Sequence, residues 1–147
     1  YLRSMTTKKF IIINGPNLNM LGKREPEIYG SETLEDIKKY TEESLHGQQQ
    51  ITWFQSNIEG EIVSKIHEVK SSDFDALIIN PAAYSHTSVA IYDALKILKI
   101  PIIEVHLSNT NARESFRQSK LTAQAANIIM EGLGKKAYLM AIKSQLI

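Results

Sequence analysis

Three apolar runs in this chain each break into a loop whose side chains could bind a ligand or move a proton. Phe10-Ile11-Ile12-Ile13 gives way to Asn14-Gly15-Pro16-Asn17-Leu18-Asn19, and Ala76-Leu77-Ile78-Ile79 to Asn80-Pro81-Ala82-Ala83-Tyr84-Ser85-His86. The run over residues 100–105 leads into His106-Leu107-Ser108-Asn109. A strand that stops in Gly, Pro and Asn has left the core and begun to present polar groups. Pro16 has no N–H, so the first loop is a poor phosphate cradle. It is followed by Lys23, Arg24 and Tyr29. Arginine is always charged and stabilises a nearby phenolate, which makes Tyr29 a candidate base. Taken singly, these residues have plainer readings. Asn14 and Asn109 would be turn or cap residues, Arg24 a solvated charge, and Tyr29 an amphipathic residue closing a loop. Two histidines at equivalent ends of neighbouring strands, His86 and His106, favour a site. His46 and His67 fall on predicted helices without such partners and read as solvated.

The elements that must position these groups alternate between strand and helix. Residues 10–13 and 76–79 are short continuous apolar runs, as expected of strands buried on both faces. Residues 51–54, 100–105 and, more weakly, 127–130 supply three further strands. Ser31 or Thr33 opens a helix with Thr33-x-x-Asp36 as a capping pattern and Leu34, Ile37, Thr41 and Leu45 on one face. Ser56-x-x-Glu59 is expected to cap a second, with Ile58, Ile62, Ile66 and Val69 as its stripe. Ile91, Ala94, Leu95 and Leu98 mark a third, and Leu139, Met140 and Ile142 a C-terminal one. This alternation predicts an α/β fold, a doubly wound parallel sheet with helices on both faces. Ligands bind such sheets at the carboxyl ends of the strands, near a topological switch point.

Composition narrows the function. A chain of 147 residues that is 43% hydrophobic and 22% charged is expected to form one globular domain. A net charge of +1 argues against a nucleic-acid partner. With no cysteine there are no disulfides, thiolate metal sites or cysteine nucleophiles. No apolar stretch approaches the roughly 20 residues that span a membrane. Residues 1–4, ahead of Met5, lack an apolar signal core and read as an expression remnant, leaving residues 5–147 as a single catalytic domain. The expected compartment is the cytoplasm.

The pattern Asn14-Gly-Pro-Asn17-Leu-Asn-x-Leu-Gly-x-Arg24-Glu-Pro-x-x-Tyr29-Gly resembles the type II 3-dehydroquinate dehydratases. So do Gln55-Ser-Asn57, Asn80-Pro-x-Ala-Tyr-Ser-His86-Thr-Ser and Glu104-Val-His106-Leu-Ser108-Asn109-x-x-Ala-Arg113-Glu, and the likeness runs from the first strand to the last helix. The resemblance implies a flavodoxin-like five-stranded sheet of order 2-1-3-4-5 and the dehydration of 3-dehydroquinate to 3-dehydroshikimate. That is a hydro-lyase step of the shikimate pathway, in aromatic amino-acid biosynthesis, with no metal or other cofactor. Elimination is anti and passes through an enolate. By the same resemblance Tyr29 is the base, Arg24 the cation beside it and His106 the acid. Asn17 holds the water that stabilises the enolate. Asn80, His86 and Arg113 bind substrate hydroxyls, while Leu107 and Ser108 clamp the carboxylate. Glu104, two residues before His106 and so on the same strand face, could orient the imidazole. Asp93, otherwise a solvated helix residue, would serve a neighbouring subunit's site in a homododecamer built as a tetramer of trimers.

The chain also departs from that pattern. Ile58 stands where many relatives carry a polar residue, and Ala82 where glycine is frequent. Asn111 and Gln118 occupy places where histidine is common. A second class of function sits on the same fold, as flavin-binding electron carriers and phosphoacceptor signalling modules. A flavin phosphate loop would want clustered hydroxyls and free amides after the first strand, which Pro16 and the asparagines do not supply. A phosphoacceptor would need an aspartate where Asn80 stands.

Overall fold

The computed structural model describes residues 7–23, 27 and 31–147. Five strands, β1 (Lys9–Asn14), β2 (Gln50–Gln55), β3 (Ala76–Asn80), β4 (Ile102–His106) and β5 (Ile128–Glu131), form one sheet of order β2-β1-β3-β4-β5. Every pairing is parallel. Among the described residues, α1 (Leu34–Ser44), α2 (Glu59–Lys70), α3 (Val89–Leu95) and α4 (Ala137–Lys143) cover it. The expected flavodoxin-like architecture is therefore the observed one.

The continuous apolar runs make sense from their two neighbours. Phe10, Ile12, Ala76, Ile78, Ile103 and Val105 face α1 and α4, where they meet Ile37, Tyr138 and Ile142. The alternate residues Ile11, Ile13, Leu77, Ile79 and Ile102 face α2 and α3 and pack on Ile62, Ile66, Ile91 and Leu95. A strand residue alternates between faces, so covering both faces keeps β1 and β3 apolar until their ends, while β4 carries one buried exception, Glu104. The register then aligns those ends: Asn14 pairs with Gln55 on one side and Asn80 on the other, and His106 pairs with Glu131.

The first helix begins as its sequence suggests. Thr33 Oγ1 accepts from the Asp36 amide, and the Asp36 carboxylate accepts from the Thr33 amide, both at 3.0 Å. These bonds hold the Asp36 carboxyl below its usual range. The second helix corrects the expectation. Its N-cap is Ile58, with no side-chain cap, and Ser56 and Glu59 do not form a box. Ser56 Oγ instead accepts from the Ile58 amide at 2.9 Å and donates to Glu61 Oε1 at 2.5 Å. Glu59 is drawn across to accept from Ser88 Oγ, the N-cap of α3. Tertiary competition for Glu59 outweighs the local motif. α3 stops at Leu95, so Leu98 packs from beyond the helix, and β4 starts at Ile102, after Pro101, rather than at residue 100. His46 lies past the end of α1 with φ 55°, and both it and His67 are exposed.

Candidate active site

In the order β2-β1-β3-β4-β5 the winding reverses between β1 and β3, and loops diverge there at the carboxyl edge. The close approach of the two loops depends on Gly15. Its amide donates to the Asn80 carbonyl at 2.8 Å, and a Cβ on it would stand 2.4 Å from the Pro81 carbonyl oxygen. Any side chain at position 15 would push the two loops apart.

Beneath the loops, Asn14 and Asn80 reach the same partner. Tyr138 of α4, wholly buried, donates its hydroxyl to Asn14 Oδ1 at 2.5 Å and accepts from Asn80 Nδ2 at 3.1 Å. Asn80 Oδ1 in turn accepts from the Ala82 amide at 3.2 Å, where the backbone turns through φ 54°. Burial pushes the Tyr138 phenol far up, opposed by its bond to Asn80, so it stays a neutral donor. Leaving any of these buried groups unpaired would cost about 1–3 kcal/mol.

Asn17 is held from the other side. It takes a left-handed conformation, φ 70°, which asparagine tolerates, and its amide donates to Asn57 Oδ1 at 2.9 Å. Gln55 Nε2 donates to the Gly15 carbonyl at 3.1 Å and to Asn57 Oδ1 at 3.2 Å, and the Tyr84 hydroxyl donates to the Asn57 carbonyl at 2.9 Å. The Gln55-Ser-Asn57 segment thus braces the first loop.

His106 emerges on the α2/α3 side with Glu104 next to it. Glu104 is fully buried and accepts from Ser85 Oγ at 2.7 Å, from Thr122 Oγ1 at 2.6 Å and from His106 Nε2 at 2.7 Å. With Nε2–H committed to Glu104, Nδ1 is the ring nitrogen left for chemistry. The His86 ring stacks on that of His106 with centroids 6.4 Å apart. His86 Nδ1 lies 2.6 Å from the Ser119 carbonyl, which can only accept, so Nδ1 carries the proton and Nε2 is left as an acceptor. Burial holds the His86 pKa below its usual range, outweighing the opposing Ser119 bond, and the nearby His106, Arg117 and Lys120 lower it further.

Asn17, Asn80, His86 and His106 line a cavity together with Leu107, Ser108, Thr110, Arg113 and Arg117. Its described lining carries two arginines, two histidines and two asparagines but no carboxylate. Such a lining suits a polyhydroxylated anion. Arg113 and Arg117 have side chains 10% and 16% exposed, and Glu114 Oε1 stands 3.8 Å and 2.7 Å from their Nε atoms. The Arg117 hydrogen bond is the main reason the Glu114 carboxyl lies below its usual range.

Of the residues singled out from sequence, Asn17, Asn80, His86, His106, Leu107, Ser108 and Arg113 all line this one cavity, and Glu104 sits directly behind His106. Asp93 does not join them; it is exposed on α3. Arg24 and Tyr29 lie outside the described residues. Arg117 and Tyr138 were not expected. Arg117 follows Glu114 in a polar stretch and Tyr138 sits in an apolar helix, so neither carries a local signal.

Fold and site together define an α/β enzyme of flavodoxin-like topology whose cavity opens at the β1/β3 switch point. The chain belongs to the type II dehydroquinases: the family described as Dehydroquinase class II matches residues 8–146. A 3-dehydroquinate dehydratase of Actinobacillus pleuropneumoniae serotype 5b is 50% identical over 137 residues, covering 92% of this chain and 88% of the relative. That of Clostridium beijerinckii is 49% identical over 137 residues, covering 92% and 94%. The crystal structure of the type II dehydroquinase from Butyrivibrio crossotus superposes with a TM-score of 0.92 at 43% identity, covering 96% of this chain and 99% of that one.

Proposed function

We infer that this chain is a hydro-lyase that dehydrates 3-dehydroquinate to 3-dehydroshikimate in the shikimate pathway. The observation that carries this reading is the cationic cavity, with no carboxylate in its described lining, at the switch point of a chain belonging to the type II dehydroquinases. The substrate is a small anion bearing several hydroxyls, which is what arginine, histidine and asparagine side chains recognise.

The reaction begins with a base, assigned to Tyr29, removing the proton alpha to the ketone. The electron pair moves onto the carbonyl oxygen as an enolate, which a water held by Asn17 stabilises by donating a hydrogen bond. The enolate then collapses, the bond to the beta hydroxyl breaks, and His106 Nδ1–H protonates the departing oxygen so that water leaves. Base and acid act from opposite faces, giving anti elimination. The Glu104 carboxylate keeps Nε2–H engaged, so the ring can carry a second proton on Nδ1. The backbone amides of Leu107 and Ser108, with the Ser108 hydroxyl, clamp the substrate carboxylate. Asn80, His86 and Arg113 take its hydroxyls, and the position of Arg117 in the same lining adds a second guanidinium to that task.

No lysine lines the cavity among the described residues, which supports a route in which the ketone stays free. Pure protein given 3-dehydroquinate should produce a rise in enone ultraviolet absorbance, and borohydride added during turnover should leave no covalent adduct. Absence of the rise would refute the assignment. A substrate-sized mass increase after reduction would refute the free-ketone route.

Asp93 enters this reading through assembly. It is exposed and away from its own cavity, which supports its donation to a neighbouring site in a trimer, four trimers making a dodecamer in the cytoplasm. Asp93→Ala should raise KM. Mixing it with Tyr29→Phe subunits under exchange should partly restore substrate affinity, because some sites then combine an intact Tyr29 with a wild-type Asp93 neighbour. A simple average of the two parents would remove Asp93 from the neighbouring site.

A further inference from the structure

Glu131, the last residue of β5, lies opposite His106 in the sheet register yet is absent from the cavity lining. Its two carboxylate oxygens face different loops. Oε1 accepts from the Thr110 amide at 2.8 Å and from Thr110 Oγ1 at 2.5 Å. Oε2 stands 3.5 Å from Lys120 Nζ, an ion pair whose side chains are 14% and 16% exposed. Thr110 is itself buried and opens the short helical turn Thr110–Ala112 that follows Leu107 and Ser108. Lys120 directly follows Ser119, whose carbonyl fixes the His86 ring. Gln118 adds a second tie, donating to the Thr110 and Asn111 carbonyls at 3.2 Å and 3.3 Å.

The position of this carboxylate is unusual for a structural residue. A β5 side chain at the sheet edge could sit in solvent, yet Glu131 is drawn inward. Burial acts to raise its carboxyl, but the two Thr110 bonds, Lys120 and His106 outweigh it and hold the group below its ordinary range. An ionised acceptor with one oxygen committed to each loop fixes their separation more firmly than either loop's own backbone can. Both loops serve one cavity, the 107–110 segment through Leu107, Ser108 and Thr110 and the 118–120 segment through the His86 ring that it fixes.

We propose that Glu131 is a positioning residue that clamps the 107–110 turn to the 118–120 segment, and so sets the spacing between the carboxylate grip and His86. The kinetic part of this inference rests on the dehydratase reading above. Glu131 touches no reacting atom, so its loss should act on binding rather than on proton transfer. Glu131→Ala should raise KM about tenfold while kcat stays within about threefold. Glu131→Gln, which keeps an acceptor oxygen for Thr110 but loses the charge facing Lys120, should give a smaller rise. Lys120→Met, which also loses the 3.4 Å bond from Lys120 Nζ to Asn111 Oδ1, should raise KM at least as much as Glu131→Gln, and the double variant should be no worse than Lys120→Met alone. A kcat loss with KM unchanged, or full additivity of the two substitutions, would overturn the clamp.

Amide hydrogen exchange on the ligand-free protein tests the same coupling without any substrate. Both Glu131→Gln and Lys120→Met should speed exchange in the 107–112 turn and in the 118–120 segment together, while the β1 and β3 amides keep their protection. Faster exchange confined to one of the two segments would overturn the proposal. If the wild-type protein failed to turn over 3-dehydroquinate while this joint loosening was seen, the assigned reaction would fall and the clamp would stand.

Discussion

Tyr29→Phe should abolish nearly all turnover while leaving the protein folded. The substitution keeps the ring and removes only the ionisable oxygen. A free tyrosine has a pKa of about 10, so carrying it as a phenolate at pH 7 costs roughly 4 kcal/mol, a cost that the charge of Arg24 reduces on the proposed reading. The two histidines of the described cavity lining are assigned other work, Nδ1 of His106 to the leaving hydroxyl and Nε2 of His86 to a substrate hydroxyl. His106 is engaged by Glu104 for the opposite end of the reaction, and His86 has its Nδ1–H on Ser119. The expected loss in kcat is therefore at least the roughly 10²–10⁴-fold that a positioned general base contributes. Steady-state kinetics on the purified variant, alongside circular dichroism to verify folding, make the comparison. Near-normal turnover would remove Tyr29 from the proton-abstraction step.

His106→Ala should lower kcat by a comparable factor, about 10²–10⁴-fold, because the beta hydroxyl would then have to leave without a proton donor. Glu104→Gln separates the donor from its support. A carboxylate at this point satisfies three donors at once, Ser85, Thr122 and His106. A carboxamide has one acceptor oxygen and presents its own N–H to at least one of them. The imidazole would then lose its fixed tautomer, and kcat should fall although His106 is still present. KM should change less than kcat in both variants, since neither group is assigned to ground-state binding. A Glu104→Gln enzyme with unaltered kcat would show that the His106 tautomer is set by something other than this carboxylate. Rescue of the His106→Ala variant by added imidazole would point in the opposite direction, to the ring as the group that is missing.

The local sequence determined a great deal here, and for a simple reason. Strands buried on both faces must be apolar at every position, so residues 10–13 and 76–79 announce themselves without any partner in view. Their ends are equally plain, because the first polar residue after such a run must turn to a hydrogen-bond partner at the sheet edge. Asn14, Asn80 and His106 could therefore be placed on one edge before any coordinates, and the cavity is built on that edge. The Thr33–Asp36 capping box was legible because both of its bonds close within a single helical turn.

What the sequence could not supply were contacts that close across the fold. Ser56-x-x-Glu59 has the same local form as a capping box, yet Ser88, twenty-nine residues beyond Glu59, takes the glutamate away. The demand on Gly15 exists only because the Pro81 carbonyl stands where its Cβ would be. Tyr138 lies 124 residues from Asn14 and looks like any core aromatic until the two asparagines converge on its hydroxyl. Arg117 joins the cavity through the path of a chain segment built from short turns, which has no periodicity to read. Glu131 becomes a bridge only when β5 docks beside β4. Local composition decides which residues leave the core; the partner that each polar group meets is decided by packing, because a hydrogen bond depends on separation in space and is indifferent to separation along the chain.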